Sequence, residues 1–386
     1  MLALKKQLQS EWMSKLIDSL FPVFATLAAL LIGAAMLLFL KVNPIEAYKA
    51  LWDGAFGSSN ALAETLVKAT PLLLVGLGIC ISFRGDVINI GGEGQMIVGA
   101  LLATWVGLTF TGLPGWLVIT LSMLSGFFGG AVWGGIPGIL KAYFRVNEIL
   151  STVMMNAIAV QLMNFLLRGP MIDPAQAQLA SKIPQTARLD AIFQLPRLVP
   201  TRLHLGALIA VILAFLVYIL LWRTTLGYRI RAVGQNPHAS RYAGIKVQRY
   251  VVMALLLSGA FSGLAGATQV FGVNYRMITD GSASGFTGSA GFNGIVAALF
   301  GQLHPIWSIP ASILFGALLV GANKMQRVVQ VPSALVIALN GLVVVFVVSS
   351  EIWRRRRQRR RLAVAGQDDE PSRPMDEKIG PVEKSA

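Results

Sequence analysis

Apolar runs of about twenty residues recur along this chain, and they constrain its fold more than any other feature. The chain has 386 residues, of which 55% are hydrophobic and only 13% are charged. In a soluble domain, about a quarter of the residues are charged. An apolar run of this length crosses a bilayer as a helix, because lipid offers the backbone no hydrogen-bond partners. We therefore expect an all-α polytopic integral membrane protein.

We expect about ten transmembrane helices, including broken or half-inserted segments. Segment 294–301 is too short to cross a bilayer alone. The first run is predicted to be a retained helix, because it is longer than a typical signal-peptide core and lacks a clear cleavage site. The candidate spans are 20–40, 66–83, 96–110, 116–140, 149–167, 203–222, 251–272, 294–301, 306–322 and 333–350.

Composition divides the chain into three parts. Residues 1–19 are polar and are expected to be a cytoplasmic segment, and residues 20–350 form the predicted transmembrane domain. Residues 351–386 form a tail that begins with an arginine-rich run and ends in an acidic, proline-containing stretch. A stretch so poor in apolar residues cannot bury a core, so we expect this tail to be disordered.

The net charge of +15 is concentrated where a membrane protein carries basic residues. With ten crossings and the N-terminus inside, the cytoplasm receives Lys141, Arg145, the loop 223–249 and the tail. The loop 168–202 falls outside although it is also basic. Both termini are therefore predicted to be cytoplasmic, and anionic membrane lipids would attract the tail. Nucleic-acid binding is not expected, because the arginine run lacks interleaved aromatic side chains.

The sequence contains no recognisable motif for catalysis or metal binding. There is one cysteine, Cys80, within an apolar run, where we expect a buried packing residue. The three histidines are too far apart in sequence to suggest metal ligands. No phosphate-binding loop, nucleophile elbow or zinc-protease motif is present. We expect no catalytic residue, metal or cofactor, so energy for active transport would come from an ion gradient or a partner.

The stretch 84–100 is glycine-rich and polar, although apolar runs flank it on both sides. Gly91, Gly92 and Gly94 are expected to let the backbone leave helical geometry. The polar side chains beside them are Asn89, Glu93 and Gln95. Broken helices at membrane depth line solute paths in transporters. We expect this stretch to line such a path, with Glu93 either contacting solute or, as we prefer, anchoring the broken helix.

A second polar stretch, 281–294, precedes the short apolar segment. It contains Phe292 and Asn293, which we also assign to the solute path. Inverted-repeat transporters often carry two such breaks in corresponding positions. The alternative is an ordinary flexible loop outside the membrane, and the sequence leaves both interpretations open.

Small and polar residues within the apolar runs indicate helix packing. Rows of small residues at four-residue spacing let helix backbones approach closely in lipid. Asn156, Gln161 and Asn164 are expected to form interhelical hydrogen bonds rather than bind solute. The two rows are Gly126, Gly130 and Gly134, and Ser258, Ser262 and Gly266 with Gly259 and Gly263 beside them.

The basic loop 223–247 carries the signals of two short helices. Gly234 is predicted to end the first. Asn236 is a favourable N-cap and Pro237 suits the first helical position, so a second helix is predicted over 238–243 and ends at Gly244. A short capped helix on the cytoplasmic side of a membrane protein suits docking to a partner.

Two motifs give this chain a family resemblance. The pattern Leu226-Gly227…Arg231-Ala232-Val233-Gly234-x-Asn236-Pro237…Ala243-Gly244-Ile245 resembles the coupling loop of permease subunits of bacterial ABC importers. These permeases form a branched-chain-type family that handles nucleosides and simple sugars. The segment Asn89-Ile90-Gly91-Gly92-Glu93-Gly94-Gln95 is similar to the signature of the nucleoside branch, with Gly92 where alanine is more usual. The resemblance covers most of residues 20–350.

The resemblance implies a transport subunit of the bacterial inner membrane, not an enzyme. Its implied partners are a cytosolic ABC ATPase subunit that hydrolyses ATP, a second permease chain that is related but different, and an extracytoplasmic substrate-binding protein. The implied coupling residues are Gly227, Arg231, Gly234, Asn236, Pro237, Arg241 and Gly244. The implied substrate path contains Asn89, Gly91, Gly92, Glu93, Gly94 and Gln95, together with Phe292 and Asn293.

Nucleosides are the first substrate that the resemblance implies, and simple sugars are the second. An ion-coupled secondary transporter is the main rival, and it would need paired intramembrane acids. Only Asp86 and Glu93 lie near a suitable depth. A polytopic membrane enzyme would need clustered histidine and acidic residues, which the sequence lacks. The predicted docking loop favours the permease over both rivals.

Overall fold

The computed structural model describes residues 27–28, 30–180 and 182–332, together with positions 338, 341, 342, 345, 346 and 349. The predicted N-terminal segment 1–19, the tail 351–386 and most of the predicted span 333–350 lie outside the described residues. The described part is helical, apart from loops and two isolated bridges between extended residues. Its helices are α1 Leu30–Phe39, α2 Pro44–Phe56, α3 Ser59–Arg84, α4 Gly92–Thr109, α5 Gly115–Phe144, α6 Glu148–Arg168, α7 Pro174–Ala177, α8 Leu205–Arg223, α9 Thr225–Gln235, α10 Pro237–Tyr242, α11 Val247–Gln269, α12 Ala283–Thr287, α13 Ala290–Phe300 and α14 Ser308–Val329.

Six helices of the described part are long and apolar enough to cross a membrane: α3, α5, α6, α8, α11 with the π-helical turn that extends it, and α14. The expectation of about ten crossings is therefore not confirmed. α4 begins with a polar turn, and α13 has only 11 residues, which is too short to cross alone. The first and last predicted spans lie partly or mostly outside the described residues.

Sequence analysis missed α2, a helix of 13 residues between the first two predicted spans. Its signals are nevertheless clear: the Asn43 side chain accepts a hydrogen bond from the Ile45 N–H, and Pro44 occupies the first helical position. A search for apolar runs passes over this segment because it carries Glu46, Lys49 and Asp53.

The contact between α5 and α11 forms the densest part of the bundle, and glycines make it possible. A Cβ atom on Gly130 would lie 2.6 Å from the Cα of Gly263, and one on Gly134 would lie 3.0 Å from the Cα of Gly259. Backbones meet here with no room for a side chain. The prediction that these small residues serve close packing is confirmed. Cys80 is fully buried, also as expected.

One end of the bundle carries α9 and α10, together with the last turns of α3, α5 and α8 and the first turn of α11. We call it the basic end. Its basic residues are Arg84, Lys141, Arg145, Arg223, Arg229, Arg231, Arg241, Lys246 and Arg249. The opposite end carries the loop between α6 and α8, where Arg202 forms an ion pair with Glu64 at 3.6 Å.

Candidate functional site

The break between α3 and α4 lies at residues 85–91, which return from the basic end into the bundle. α3 ends at Arg84, and Asp86 then adopts a left-handed conformation with φ of 56°. The prediction that three glycines leave helical geometry here was wrong for Gly92 and Gly94, and Gly91 is the N-cap of α4. Gly91 has an ordinary φ of −78°, while Gly92 and Gly94 lie inside the first turn of α4.

Two of these glycines provide space rather than backbone freedom. A Cβ atom on Gly92 would lie 3.2 Å from the Cα of Gly291, at the start of α13. A Cβ atom on Gly94 would lie 2.9 Å from the Cα of Asn156, on α6. A Cβ atom on Gly94 would come closer to backbone than real Cβ atoms do, and one on Gly92 would require its neighbours to shift by a few tenths of an ångström. The missing side chains therefore let the start of α4 pack closely against α6 and α13.

A hydrogen-bond network fixes the break to its own helix and to α11. The amides of Asn89 and Gln95 pair with each other in both directions, at 3.0 and 3.1 Å. The Asn89 Nδ2 also donates to the Ser258 Oγ at 2.7 Å, and the Asn89 Oδ1 accepts from the Gly91 N–H at 2.9 Å. All three side chains are buried, so the network satisfies polar groups that water cannot reach.

α6 holds the same break from the other side. The Asn156 Oδ1 accepts from the Gly94 N–H at 2.8 Å, and its Nδ2 donates to the Ile90 carbonyl at 2.9 Å. Asn164 accepts from the Thr279 hydroxyl at 2.7 Å. Asn156 therefore forms the predicted interhelical hydrogen bond, with Gly94 of α4. Asn164 instead bonds to the loop before α12, and Gln161 is exposed.

Glu93 joins the starts of α4 and α13. Its side chain is 2% exposed. One carboxylate oxygen accepts from the Thr287 hydroxyl, and the other accepts from the Phe292 N–H at 3.2 Å. Each helix start presents unpaired N–H groups and a positive dipole end, which a carboxylate complements. The preferred role, a structural anchor, fits this geometry.

The predicted path residues fall into a buried set and an accessible set. Asn89, Glu93 and Gln95 and their glycines are buried, and the contacts above occupy their polar groups. Phe292 is 49% exposed, and Asn293 beside it is half-buried. Sequence analysis missed Thr287 and the role of Ser258, because an isolated hydroxyl gives no signal of its partner.

The loop after α8 forms the two predicted short helices, with ends shifted by one residue. α9 passes through Gly234 and ends at Gln235, and α10 covers Pro237–Tyr242 rather than 238–243. The Asn236 Oδ1 caps α10 by accepting from the Ala239 N–H at 3.0 Å, with Pro237 at the first position, as predicted. Gly244 ends the segment at φ of +79°, a conformation that glycine adopts readily.

Two glycines seat α9 against the membrane helices. A Cβ atom on Gly234 would overlap the Arg84 carbonyl oxygen and lie 2.9 Å from the Gly85 carbonyl carbon. A Cβ atom on Gly227 would overlap the end of α8. Ile230, also on α9, is fully buried. α9 is therefore fixed directly on the last residues of α3, just before the break.

The two arginines that were assigned to coupling occupy different environments. The Arg231 guanidinium lies over the Trp222 ring at 5.6 Å, and the Arg84 guanidinium lies over the same ring at 5.3 Å. Arg84 also donates to the Leu303 carbonyl at 3.3 Å, after α13. Arg241 is exposed on α10, beside Tyr242, which is 95% exposed. Arg231 thus braces α9 internally, while Arg241 is available to a partner.

Comparison with known proteins identifies relatives over most of the chain. A guanosine ABC transporter permease protein of Bacillus subtilis is 37% identical over 331 residues, which are 86% of this chain and 93% of the relative. A second guanosine ABC transporter permease protein of that organism is 31% identical, over 67% of this chain and 80% of its own length. A glucose ABC transporter permease protein of Haloferax volcanii is 34% identical, over 86% of this chain and 88% of its own length.

No solved structure matches the chain. Residues 61–348 match the family described as branched-chain amino acid transport system / permease component. This region begins in the first turns of α3 and includes both the polar break and the α9–α10 loop. The chain belongs to this family of ABC-transporter permease components.

Proposed function

We propose that this permease is the membrane subunit of an ATP-driven importer of nucleosides and that α10 couples it to a cytosolic ATPase. One observation carries the coupling assignment: α10, α9, the end of α3 and the polar break form an unbroken series of contacts. α10 is capped by Asn236, the single residue between α9 and α10, and Gly234 on α9 lies against the Arg84–Gly85 backbone. A displacement of α10 by the ATPase would therefore be transmitted through packed helices to the break between α3 and α4.

From the break, the same displacement would reach α13. Residues 85–91 lead to Gly92, which meets Gly291, and Glu93 binds both α12 and α13 through Thr287 and Phe292. Arg84 makes a second connection, since it donates to backbone after α13. Packed elements with two discrete arrangements can carry such a displacement. Stretch 281–294 then acts as the counterpart of the first break, approaching from the opposite end of the bundle.

The partners of the proposed importer follow from this arrangement. Arg241 and Tyr242 project from α10 and would enter a cleft of the ATPase subunit, where Arg241 meets an acidic group. Two guanosine permease proteins of one organism both resemble this chain, which supports pairing with a related second permease. A binding protein would deliver solute at the opposite end. The basic end faces the cytoplasm, by the positive-inside rule.

Phe292 and Asn293 are the accessible residues of the proposed path. An aromatic face can stack on a nucleobase, and a carboxamide can pair with its hydrogen-bonding edge. The guanosine permease relatives favour a nucleoside, and the glucose permease relative keeps simple sugars as the second candidate.

Uptake by proteoliposomes that contain the whole importer tests this assignment. We expect ATP-dependent guanosine uptake that Phe292→Leu reduces about tenfold, since one base–aromatic stack contributes about 1–3 kcal/mol. Phe110→Leu is the matched control, because Phe110 is similarly exposed at 43% but lies at the end of α4. Glucose uptake in place of guanosine uptake would establish the sugar alternative. Equal guanosine uptake by both variants would show that Phe292 does not contact the solute.

A further inference from the structure

An open groove of about 560 Å³ runs between α5 and α11 near the basic end. Its floor is apolar and its mouth is basic. The residues that line it are Ile139, Tyr143, Lys246, Gln248, Arg249, Val252, Met253 and Leu256. None of them takes part in the polar break or in the contacts that seat α9. The groove is within the size range of ligand sites.

The cations at the mouth serve two adjoining cavities. A second cavity, of about 400 Å³, shares Lys246 and Arg249 with the groove and adds Arg229 to its lining. The Arg229 Nη1 donates to the Tyr250 hydroxyl at 2.8 Å, so this guanidinium is held in place. Among the described residues, no acidic side chain lines either cavity. Glu148, at the start of α6, is already paired with Lys141 at 2.7 Å.

We propose that this groove binds one anionic phospholipid of the surrounding leaflet. The phosphate lies between Lys246 and Arg249, and an acyl chain covers the floor formed by Ile139, Val252 and Leu256. Basic pockets between membrane helices recognise acidic lipid headgroups in this way. The site suits an amphiphile, because a free anion would leave the apolar floor uncovered and an apolar protein helix would leave two cations unpaired.

Two further observations fit a lipid. Tyr143 is 64% exposed at the end of α5, which is the depth at which aromatic side chains meet headgroups. Both cations lie within a few residues of Gly244, where α10 ends and α11 follows. The bound lipid would therefore hold the start of α11 beside α5. The assignment of this lipid to the cytoplasmic leaflet rests on the proposed function, and the rest of the proposal does not.

Lipid retention by the purified importer tests the site without ATP or solute. After delipidation, the importer is incubated with phosphatidylglycerol, cardiolipin or phosphatidylcholine, and bound lipid is counted by native mass spectrometry. We expect retention of both anionic lipids and not of phosphatidylcholine. Lys246→Gln/Arg249→Gln should weaken retention about 30-fold, since each surface cation adds to the attraction. The matched control, Lys182→Gln/Arg197→Gln, removes the same charge from the opposite end and should retain lipid normally.

A second variant separates a shaped site from general attraction to positive charge. Leu256→Trp fills the floor and leaves every cation in place, so we expect it to lose the retained lipid as well. Normal retention by Leu256→Trp, or by the Lys246/Arg249 variant, would overturn the proposal. Because no transport is measured, these results do not depend on the solute or on coupling to the ATPase.

Discussion

At the scale of single residues, Glu93 shows how one carboxylate can be buried in a membrane protein, since it has no ion-pair partner among the described residues. Its oxygens accept hydrogen bonds from the Thr287 hydroxyl and the Phe292 N–H, which belong to α12 and α13. Its own backbone lies in the first turn of α4. Burying a charge is costly unless hydrogen bonds and dipoles replace water. Here the Thr287 hydroxyl and the Phe292 N–H supply the hydrogen bonds, and the starts of α4 and α13 supply the dipoles.

Replacing Glu93 should therefore destabilise the bundle as well as impair transport. Glu93→Ala removes the acceptor of the Phe292 N–H, at a cost of about 1–3 kcal/mol, while the Thr287 hydroxyl keeps the Ala283 carbonyl as its acceptor. Glu93→Gln keeps one acceptor and should lie between wild type and Glu93→Ala. Thermal unfolding in detergent can be followed with a thiol-reactive fluorophore, because the only cysteine of the chain, Cys80, is fully buried. Unchanged unfolding temperatures in both variants would exclude the anchor role.

The residues around Glu93 also show what sequence reasoning can and cannot reach. The concentration of glycine and amide residues at 89–95 correctly predicted an interruption between two apolar helices. The reason for the glycines was wrong, because the left-handed residue is Asp86 and the glycines make room for Gly291 and Asn156. Those partners are about 60 and 200 positions away along the chain. No local pattern reveals contacts at such a distance.

At the scale of elements, α10 was the most predictable part of the molecule. Its signals are local: an amide at the N-cap, a proline at the first helical position and a left-handed glycine just after the helix. Each of these residues has the structural role that was predicted from the sequence. α4 and α13 were less predictable, because a helix that begins inside the bundle has a polar start that interrupts the apolar run. α2 was not predicted because its charged residues lower its mean hydropathy, so that it does not form an apolar run.

Gly234 provides a test of the seating of α9. Gly234→Leu would force α9 away from the Arg84–Gly85 backbone, so we expect it to abolish uptake while membrane insertion continues. Gly244→Leu should also abolish uptake, because a branched side chain disfavours the left-handed conformation that ends α10. The control is Gly112→Leu, since no atom of the described residues lies within 4 Å of a Cβ atom there. Wild-type uptake in both coupling variants would refute the coupling assignment.

At the scale of the whole molecule, the bundle has a basic end and an opposite end, and the coupling account requires the basic end inside the cell. α5 offers a matched pair of reporters, because Trp116 and Phe144 are each 70% exposed and lie near its two ends. With a membrane-impermeant maleimide, Trp116→Cys should be labelled in intact spheroplasts and Phe144→Cys only in inverted vesicles. The native Cys80 is buried and gives no background. The reverse labelling would place the coupling helix outside the cell.

The central claim is that this chain is a permease driven by ATP hydrolysis on another subunit. The most direct measurement is its purification from native membranes in mild detergent, followed by reconstitution and an uptake assay with and without ATP. The account predicts that an ABC ATPase and a second permease copurify and that guanosine enters vesicles only when ATP and the binding protein are supplied. Recovery of this chain alone, with uptake that needs no ATP, would contradict it and establish a secondary transporter.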